Sequence, residues 1–512
     1  MSMSMRILLC LGVIGLFSTD VRADGPDIDP PLPEAVSIRL APGWDIASFL
    51  VLVDPVLPGM TVLDAIESRQ TYLLDLPPGT NEDLVEAIFD DDYVLDPNNP
   101  VRPLVWSDLC YLAQAAESRT GSVYVTFQAP DAGNTFPRQY PADLLGLDSA
   151  HANSIGHGVT VAVLDTGVDD THPVLAGRVL PSGFNFVSMS SDTRERSDGI
   201  DNDGDGRIDE AFGHGTFMSG LIVLTAPETN ILPVVVLDDD GNSDDFRLAK
   251  GMYYAIDHGV EVINLSLGST YDAEAVQDAI EEANSHGIMV VGAAGNAGTG
   301  NEDLQQYPAT TGETLGVAAV NSADARAAFT NYNEELFISA PGASPSLVGG
   351  DPNLVDASTS ILGPIPGGGY AWWEGTSLST AFVSGTVALI RAQHPEWTWT
   401  ACDGDSASPA EIPRKILSCI ETVLESTALP INEPDGDVRQ GMGVGRIDAA
   451  GAAALAGPAP TQGDLNHDGQ VSIADLGLFL SDFGKVHSSA DLDGSGHVGL
   501  VDLGLLLQHF GR

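Results

Sequence analysis

Positively charged residues are scarce in this chain. Its 512 residues include 21 lysines and arginines but 72 aspartates and glutamates, so the formal net charge is −51 at pH 7. Nucleic acid is therefore excluded as an expected partner, because binding to phosphate groups requires the opposite charge. The acid excess is typical of a protein that works in salt water or binds divalent cations, since either relieves self-repulsion. Charge alone does not separate these two explanations.

Long apolar runs are scarce as well. One lies near the start, at 7–17, and is followed by the small-residue sequence Val21-Arg22-Ala23. It is too short to span a bilayer, and no later run approaches the roughly 18 apolar residues that a span needs. We predict that residues 1–23 are a cleaved secretory signal peptide and that the exported protein has no membrane span. Its expected location is extracellular, with the periplasm and the cell surface as alternatives.

Cysteine is rare, with four residues in the whole chain. Cys10 lies within the predicted signal peptide, and Cys110 lies in a segment that we expect to be removed. Cys402 and Cys419 then remain, and an exported protein allows them to form a disulfide bond. The alternative is a pair of buried thiols.

What the chain does contain is three short motifs in the order Asp, His, Ser. Asp165 ends the apolar, β-branched run 158–164, which is typical of a buried parallel strand. His214 opens a segment that predicts a buried helix, and Ser377 stands in the same way before a second such segment. A serine hydroxyl is a poor nucleophile until an imidazole takes its proton and a carboxylate orients that imidazole. The three residues together therefore predict nucleophilic catalysis at Ser377.

This order and these surroundings resemble the subtilisin-like serine proteases, the subtilases of peptidase family S8. The resemblance implies an α/β fold, a three-layer α/β/α domain with a parallel sheet over residues 141–457. It implies that Ser377 attacks the peptide carbonyl, that His214 acts as general base and then acid, and that Asp165 orients the imidazole. The implied substrates are proteins or peptides, and the catalytic domain is expected to be monomeric. The alternative is a binding protein that uses the protease fold as a scaffold.

Asn296 ends a buried strand-like run in a Gly-Asn turn. In the resembled family this asparagine donates its side-chain amide to the oxyanion, beside the backbone amide of the nucleophilic serine. Removing such a donor typically costs about 10²–10³ in turnover. The alternative is that Asn296 only supports the turn, in which Gly-Asn is common.

The resemblance also implies where the substrate binds. A strand end and a facing segment would form the first specificity pocket and pair with the substrate backbone, which is recognition by β-augmentation. The implied residues are Ser266, Leu267, Gly268, Ala294 and Gly295.

The region 24–140 differs from the catalytic part. It contains a strand-like run at 71–76, a helix signal at 82–89 and a second strand-like run at 121–128. We predict an α+β propeptide that inhibits the enzyme, assists its folding and is removed by self-cleavage, with a boundary near residues 138–145. The alternative is an N-terminal domain that the mature protein retains.

The C-terminal region contains an internal repeat. Oxygen-bearing side chains recur at loop positions 1, 3, 5 and 12, with glycine at position 6, as in EF-hand-type calcium loops. The candidate Ca²⁺ ligands are Asp464, Asn466, Asp468 and Asp475 in the first copy and Asp491, Asp493, Ser495 and Asp502 in the second. Each loop precedes one short helix, so the pair resembles a type I dockerin at 463–512, after a linker at 458–462. The resemblance implies a small helical module with a cohesin-like docking partner; the alternative is a calcium-stapled cap without a partner.

A further acidic segment lies just before the candidate histidine. Asp201, Asp203 and Asp205 alternate with other residues, and the alternation is expected to point their carboxylates towards a common centre. A Ca²⁺ ion there would need Asp209 or Glu210 to complete its ligands. The alternative is a solvated acidic surface loop. The whole sequence therefore predicts a secreted, calcium-stabilised serine endopeptidase that is made as a proenzyme.

Overall fold

The computed structural model describes most of the chain. The described residues are 31–80, 85, 103–116, 125–126, 132–204, 206–298, 300, 306–342, 359–394, 412–432, 441–456, 471–483, 490, 492, 498–508 and 510. The predicted signal peptide, the linker at 458–462 and the helix signal at 82–89 apart from Val85 lie outside them.

The N-terminal region forms an antiparallel sheet that packs against a helix. Its elements are β1 (Pro31–Leu40), α1 (Ile46–Val53), β2 (Thr61–Ile66), β3 (Thr71–Asp75) and β4 (Leu104–Ala115). Strand β1 lies between β3 and β4, and β3 also pairs with β2. One face of the sheet packs on α1 around Phe49, whereas the other face contributes Ala35, Ile66 and Cys110 to a cluster with later helices. The sequence pattern predicts β3 but not β1, α1 or β4.

A short strand and three short helices follow. They are β5 (Val125–Thr126), α2 (Ala132–Thr135), α3 (Tyr140–Leu144) and α4 (Leu147–His151). Side chains from the helical stretch, among them Phe136, Leu145 and Leu147, are buried in the same cluster as the central sheet described next. The described helices of residues 132–151 therefore pack as part of the central domain and not with the N-terminal sheet.

The central domain contains the remaining elements up to residue 456. In chain order these are β6 (Thr160–Asp165), β7 (Phe184–Asn185), α5 (His214–Thr225), β8 (Asn230–Val235), β9 (Asn242–Asp244), α6 (Asp245–Asp257), β10 (Val262–Leu265), β11 (Leu267–Gly268), α7 (Glu274–Ser285), β12 (Met289–Ala293), β13 (Leu315–Val320), β14 (Ile338–Pro341), β15 (Ile361–Ile365), β16 (Gly369–Trp373), α8 (Thr376–Gln393), α9 (Ile412–Thr427) and α10 (Ala449–Ala456). Seven strands form a parallel sheet in the order β14-β13-β12-β10-β6-β8-β7.

Strand β6 is central in this sheet, and its side chains alternate between two apolar layers. Val161 and Val163 face the cluster that contains α5 and α8, whereas Ala162 and Leu164 face the cluster that contains α6 and α7. Because both faces are covered, the strand is apolar throughout. The predicted α/β fold with a parallel sheet between two helical layers is confirmed.

Two strands of the N-terminal half, which we define as residues 31–126, pair with strands of the central domain. Strand β4 pairs antiparallel with both β9 and β11 through its last residues. Strand β5 pairs antiparallel with β16, which also pairs with β15. The N-terminal half is therefore joined to the central domain at two edges by backbone hydrogen bonds.

The C-terminal repeat is described only in part. Each copy contributes one helix, α11 (Ile473–Asp482) and α12 (Leu500–Gln508), and the two share a small core around Phe479 and Leu506. In both copies the last predicted loop ligand lies beside the helix start: the carboxylate of Asp475 accepts from the N–H of Ser472, and that of Asp502 from the N–H of Gly499, each at 2.7 Å. The other six predicted ligands lie outside the described residues. Within the described part of the chain, no helix is long and apolar enough to cross a membrane.

Candidate active site

Asp165 and His214 meet at the carboxyl end of the central sheet. Asp165 is the last residue of β6, and its Oδ1 lies 2.8 Å from Nδ1 of His214, the first residue of α5. The close approach requires a glycine at 215, because a Cβ there would lie 2.1 Å from the carbonyl oxygen of Gly167. The Asp165 carboxylate also accepts from the N–H of Thr166 at 2.8 Å. A carboxylate in this position holds the imidazole in one orientation and favours the tautomer with the proton on Nδ1.

Ser377 is the second residue of α8, so its backbone lies in the first turn of a helix. The partial positive charge of a helix N-terminus favours negative charge that develops there. Its Oγ donates to the carbonyl oxygen of Ser266 at 3.0 Å, and Oγ of Ser266 donates back to the Ser377 carbonyl at 3.2 Å. The predicted Ser266 therefore lies directly beside the predicted nucleophile.

The side chain of Asn296 is fixed against the turn before the serine. Its Oδ1 accepts from the N–H of Thr376 at 2.9 Å and from the Thr376 hydroxyl at 3.0 Å. Because a backbone N–H can bind only the oxygen of the amide, this contact sets which end of the side chain faces the helix. The same hydroxyl accepts from the N–H of Gly295 at 3.1 Å. Asn296 and the predicted pocket residue Gly295 are thus tied to the segment that carries Ser377.

Glu195 is a part of the site that the sequence analysis missed. It is buried, and its carboxylate accepts from the N–H groups of Gly213 at 2.8 Å and Thr216 at 3.0 Å and from the Thr216 hydroxyl. The hydroxyl of Thr166 is a fourth donor. Burial raises the pKa of Glu195 to about 7, against the lowering effect of the threonine hydrogen bonds. Glu195 therefore ties the residue after Asp165 to the helix turn that begins at His214.

The predicted substrate groove is occupied by the end of β4. Ala115 pairs with Leu267 and Gln114 with Gly268, while on the other side Gln114 pairs with Asn242. The N–H of Ala115 also donates to the carbonyl oxygen of Gly241 at 2.8 Å. Two short strands of the central domain thus hold an extended segment of the same chain between them. This is the β-augmentation that the sequence analysis expects for a substrate.

The predicted catalytic side chains are closed off from solvent in the full chain. Asp165 is 1 % exposed, and His214 and Ser377 are 0 % exposed. Trp373, at the end of β16, packs edge-on against the imidazole with ring centroids 5.3 Å apart. Because β16 pairs with β5 and β11 pairs with β4, segments of the N-terminal half flank the site on both sides.

The comparison with known protein families agrees with this geometry. A model of the subtilase family matches residues 156–445, which is more than half of the chain. The chain belongs to the subtilase family. It is therefore a subtilisin-like serine endopeptidase.

Individual relatives show how far the likeness extends. This subtilase is 35 % identical over 253 residues to subtilisin of Bacillus pumilus, a match that spans 48 % of this chain and 80 % of that protein. The match to subtilisin E of Bacillus subtilis is also 35 % over 253 residues and spans 48 % of this chain and 58 % of the relative. Thermitase of Thermoactinomyces vulgaris is 32 % identical over 266 residues, which span 50 % of this chain and 83 % of thermitase.

A solved structure extends the likeness in fold. Fervidolysin from Fervidobacterium pennivorans superposes with a TM-score of 0.58 at 22 % identity, covering 86 % of this chain and 63 % of that one. At this identity the comparison concerns the fold alone.

The acidic residues before His214 take part in two clusters of carboxylates. Ligand atoms of Asp201, Asp203 and Asp240 lie within 4.8 Å of one another, and so do those of Asp198, Asp209 and Asp239. Asp239 and Asp240, which reach the segment from the loop before β9, are not among the predicted ligands. Asp209 or Glu210 was expected to complete the ligands around Asp201 and Asp203, whereas the carboxylate of Asp209 lies with those of Asp198 and Asp239. Asp205 lies outside the described residues.

The cysteines agree in part with expectation. Cys419 is disulfide-bonded. Cys402 lies outside the described residues, so its pairing with Cys419 stays a prediction. Cys110 is a free thiol that is buried in β4, and its Sγ donates to Oδ1 of Asp245 at 2.9 Å.

Proposed function

We propose that this subtilase cleaves peptide bonds with Asp165, His214 and Ser377 as its catalytic residues. The observation that carries the proposal is the 2.8 Å contact of the Asp165 carboxylate with Nδ1 of His214, together with the place of Ser377 as the second residue of α8. The family membership of residues 156–445 supports the same reading.

The chemistry divides into two halves. Oγ of Ser377 attacks the peptide carbonyl carbon while His214 takes the hydroxyl proton, and the new oxyanion binds the N–H of Ser377 and the amide of Asn296. The carbon–nitrogen bond then breaks, and the amine leaves with the proton that the imidazole held. A water molecule attacks the ester in the same way, with its proton passing through His214 to Oγ. The carboxylate of Asp165 stabilises the imidazolium.

A fluorophosphonate probe tests this assignment on the processed protein. We expect the wild type and the control Ser418→Ala, which changes an exposed serine on α9, to be labelled and to hydrolyse casein. Ser377→Ala should do neither. If the processed wild type is not labelled, the protein is a scaffold for binding and not an enzyme.

We further propose that the protein is made as a proenzyme and exported through the signal at 1–23. The supporting observation is the pairing of β4 with β9 and β11, because it puts a segment of the chain where a substrate would bind. A propeptide boundary at 138–145 would remove part of the helical stretch 132–151, whose side chains pack into the core of the central domain. The predicted boundary therefore does not fit the observed packing.

The register of β4 points to an earlier cleavage site. Ala115 pairs with Leu267, so in an antiparallel pair the next residue, Ala116, comes opposite Ser266. The carbonyl of Ser266 is the group that the Ser377 hydroxyl contacts. We therefore place the bond that is cut during maturation after Ala116, and the inhibitory region at 24–116.

Mass spectrometry of the purified protein tests the cleavage site. The wild-type catalytic chain should begin at Glu117, and Ser377→Ala should keep its N-terminal region. An N-terminus between 138 and 145 would contradict the earlier site, and equal processing of Ser377→Ala without other proteases would exclude self-cleavage.

Calcium remains part of the proposed function. The ligand set at Asp201, Asp203 and Asp240 consists of carboxylates that gather from two loops, which is the hard oxygen chemistry that Ca²⁺ prefers. These residues would hold the ion and, through the chain that leads from Asp203 to Gly213, steady the start of α5. The tail ligands Asp475 and Asp502 would serve in the dockerin-like loops.

The C-terminal repeat is proposed to bind calcium and a cohesin-like partner. Matched positions in the two copies are exposed and apolar: Ile473 and Leu500 are 79 % and 76 % exposed, and Leu480 and Leu507 are 59 % and 51 % exposed. Apolar side chains at equivalent places on two helices support a docking role. Titration with calcium followed by binding to immobilised type I cohesin tests it; calcium binding without cohesin binding would favour the calcium-stapled cap.

A further inference from the structure

Gln306 lies between the two walls that the family resemblance assigns to the first specificity pocket. A Cβ on Gly268 would lie 2.6 Å from Nε2 of Gln306, and a Cβ on Gly295 would lie 2.9 Å from its Oε1. The side-chain amide therefore touches one wall with its nitrogen and the other with its oxygen. No space for a large side chain remains between these two glycines.

The position of Gln306 is set by its neighbours. Tyr307, the next residue, exchanges two backbone hydrogen bonds with Ser269, at 2.9 and 2.7 Å. Ser269 directly follows strand β11, so the segment of Gln306 is tied to the strand that receives the substrate. Gln306 is itself 3 % exposed. Its amide is a fixed part of the pocket and not a surface side chain that swings away.

The amide nitrogen of Gln306 also has no hydrogen-bond acceptor among the residues that the structure describes. A buried, unpaired N–H is costly next to an apolar group, which can offer it nothing. A large apolar side chain that entered the pocket would thus have to displace the glutamine and would offer its donor no acceptor.

The segment that occupies the groove has side chains of the corresponding size. Ala113, Ala115 and Ala116 are all buried, at 1 %, 0 % and 2 % exposure. Side chains alternate in a strand, so Ala116 points away from the face on which Ala113 and Ala115 join the cluster around α6. The residue that precedes the proposed cleavage site is therefore a buried alanine.

We propose that Gln306 closes the first specificity pocket and restricts this subtilase to bonds that follow a small residue such as alanine. The inference rests on the proposed function, since it concerns the residue on the acyl side of the bond that Ser377 attacks. Its substrate class is proteins and peptides with alanine-like residues before the cleaved bond, and the bond after Ala116 is the example within the chain.

The test uses peptides built on the chain's own sequence. Leu-Ala-Gln-Ala-Xaa p-nitroanilides with Xaa as Ala, Leu or Phe differ only at the position that enters the pocket. We expect wild-type kcat/KM for Ala to exceed that for Phe by at least about tenfold, since a pocket that differs by a few methylenes discriminates by about 10–200-fold. Gln306→Gly should shift the Phe-to-Ala ratio towards Phe by at least about tenfold.

Two further variants serve as controls for this test. Gln306→Ala should shift the ratio in the same direction and serves where the glycine variant does not fold. Gln393→Ala, which changes a buried glutamine whose Nε2 binds the carbonyl of Ala453 at 2.9 Å, should leave the ratio unchanged. Ratios do not depend on the amount of active enzyme, so a partly folded preparation still gives a valid result.

Labelling by the fluorophosphonate probe separates the two levels of the proposal. The role of Gln306 is overturned if the labelled wild type prefers Phe, or if Gln306→Gly leaves the Phe-to-Ala ratio unchanged. In either case the proposed hydrolysis of peptide bonds remains valid. Absence of labelling overturns the proposed function itself.

Discussion

Replacing Asp245 by asparagine should keep the inhibitory region bound at a pH where the wild type releases it. Asp245 is the first residue of α6, and its carboxylate accepts from the N–H of Tyr111 at 2.9 Å and from the thiol of Cys110 at 2.9 Å, both in β4. It lies at the interface that must open before a substrate can bind. Burial raises the pKa of Asp245 to about 7, helped by the charges of Asp244 and Asp108 and opposed by the two hydrogen bonds.

The sign of the effect follows from linkage. In the complex the carboxyl of Asp245 holds its proton up to about pH 7, whereas we expect the uncovered group to release it near the ordinary value of 3.8. Association therefore takes up a proton in this window, and the affinity for the inhibitory region falls as pH rises. A shift of about three pKa units corresponds to a loss on the order of 10³-fold. Asparagine mimics the protonated form, so that loss should be absent in Asp245→Asn.

The assay follows release directly. The cleaved but still associated protein is diluted into the fluorophosphonate probe at pH 5 to 8, and the rate of labelling at Ser377 reports the opening of the site. Comparing variants at each pH cancels the effect of pH on the labelling reaction. The wild type should be labelled about tenfold faster than Asp245→Asn at pH 5 and on the order of 10³-fold faster at pH 8. Asp143→Asn, on α3 away from β4, is the control and should match the wild type.

Equal rates for the wild type and Asp245→Asn at pH 8 would refute the reasoning. So would faster release from the wild type as the pH is lowered.

Three further predictions concern other parts of the molecule. Glu195→Gln should lower kcat about tenfold or more with little change in KM, as measured by steady-state kinetics. The NH₂ group of the glutamine cannot accept a hydrogen bond, so one backbone N–H at the start of α5 loses its acceptor. Arg69→Ala should speed release of the inhibitory region about tenfold, since Arg69 bridges Asp257 at 2.7 Å and Glu282 at 2.5 Å, and added salt should reduce the difference. Chelation should lower the melting temperature of the wild type more than that of Asp240→Asn, and equal shifts in both would exclude calcium at that carboxylate group.

The parallel sheet could be predicted because its signal is local. A β-branched run that is apolar on both faces and ends in Asp165 describes a buried strand and the residue at its end without knowledge of any neighbour. The same holds for Asn296, which follows the strand β12 within three residues. Such positions are set by consecutive residues, so a single sequence contains the information.

Glu195 and Gln306 could not be predicted because their roles depend on distant residues. Glu195 is one of many acids between Asp192 and Asp209, and only the folded chain brings it to the N–H groups of Gly213 and Thr216. Gln306 becomes part of a pocket because Gly268 and Gly295 reach it from two other strand ends. The pairing of β4 with β9 and β11 has the same character, since it joins residues more than a hundred positions apart.

The scarcity of basic residues acquires a local meaning at the interface with the inhibitory region. Arg39 pairs with Asp278, and Arg69 pairs with Asp257 and Glu282, so two of the chain's 21 cations neutralise acids on α6 and α7. Cleavage after Ala116 would let these arginines leave with the inhibitory region. The helices would then carry unpaired carboxylates, and the central domain would repel itself more strongly. Salt screens both the lost pairs and the remaining repulsion, so raised ionic strength favours release and also stabilises the freed enzyme. The acid excess is thus consistent with activation in a salt-rich medium, without reference to divalent cations.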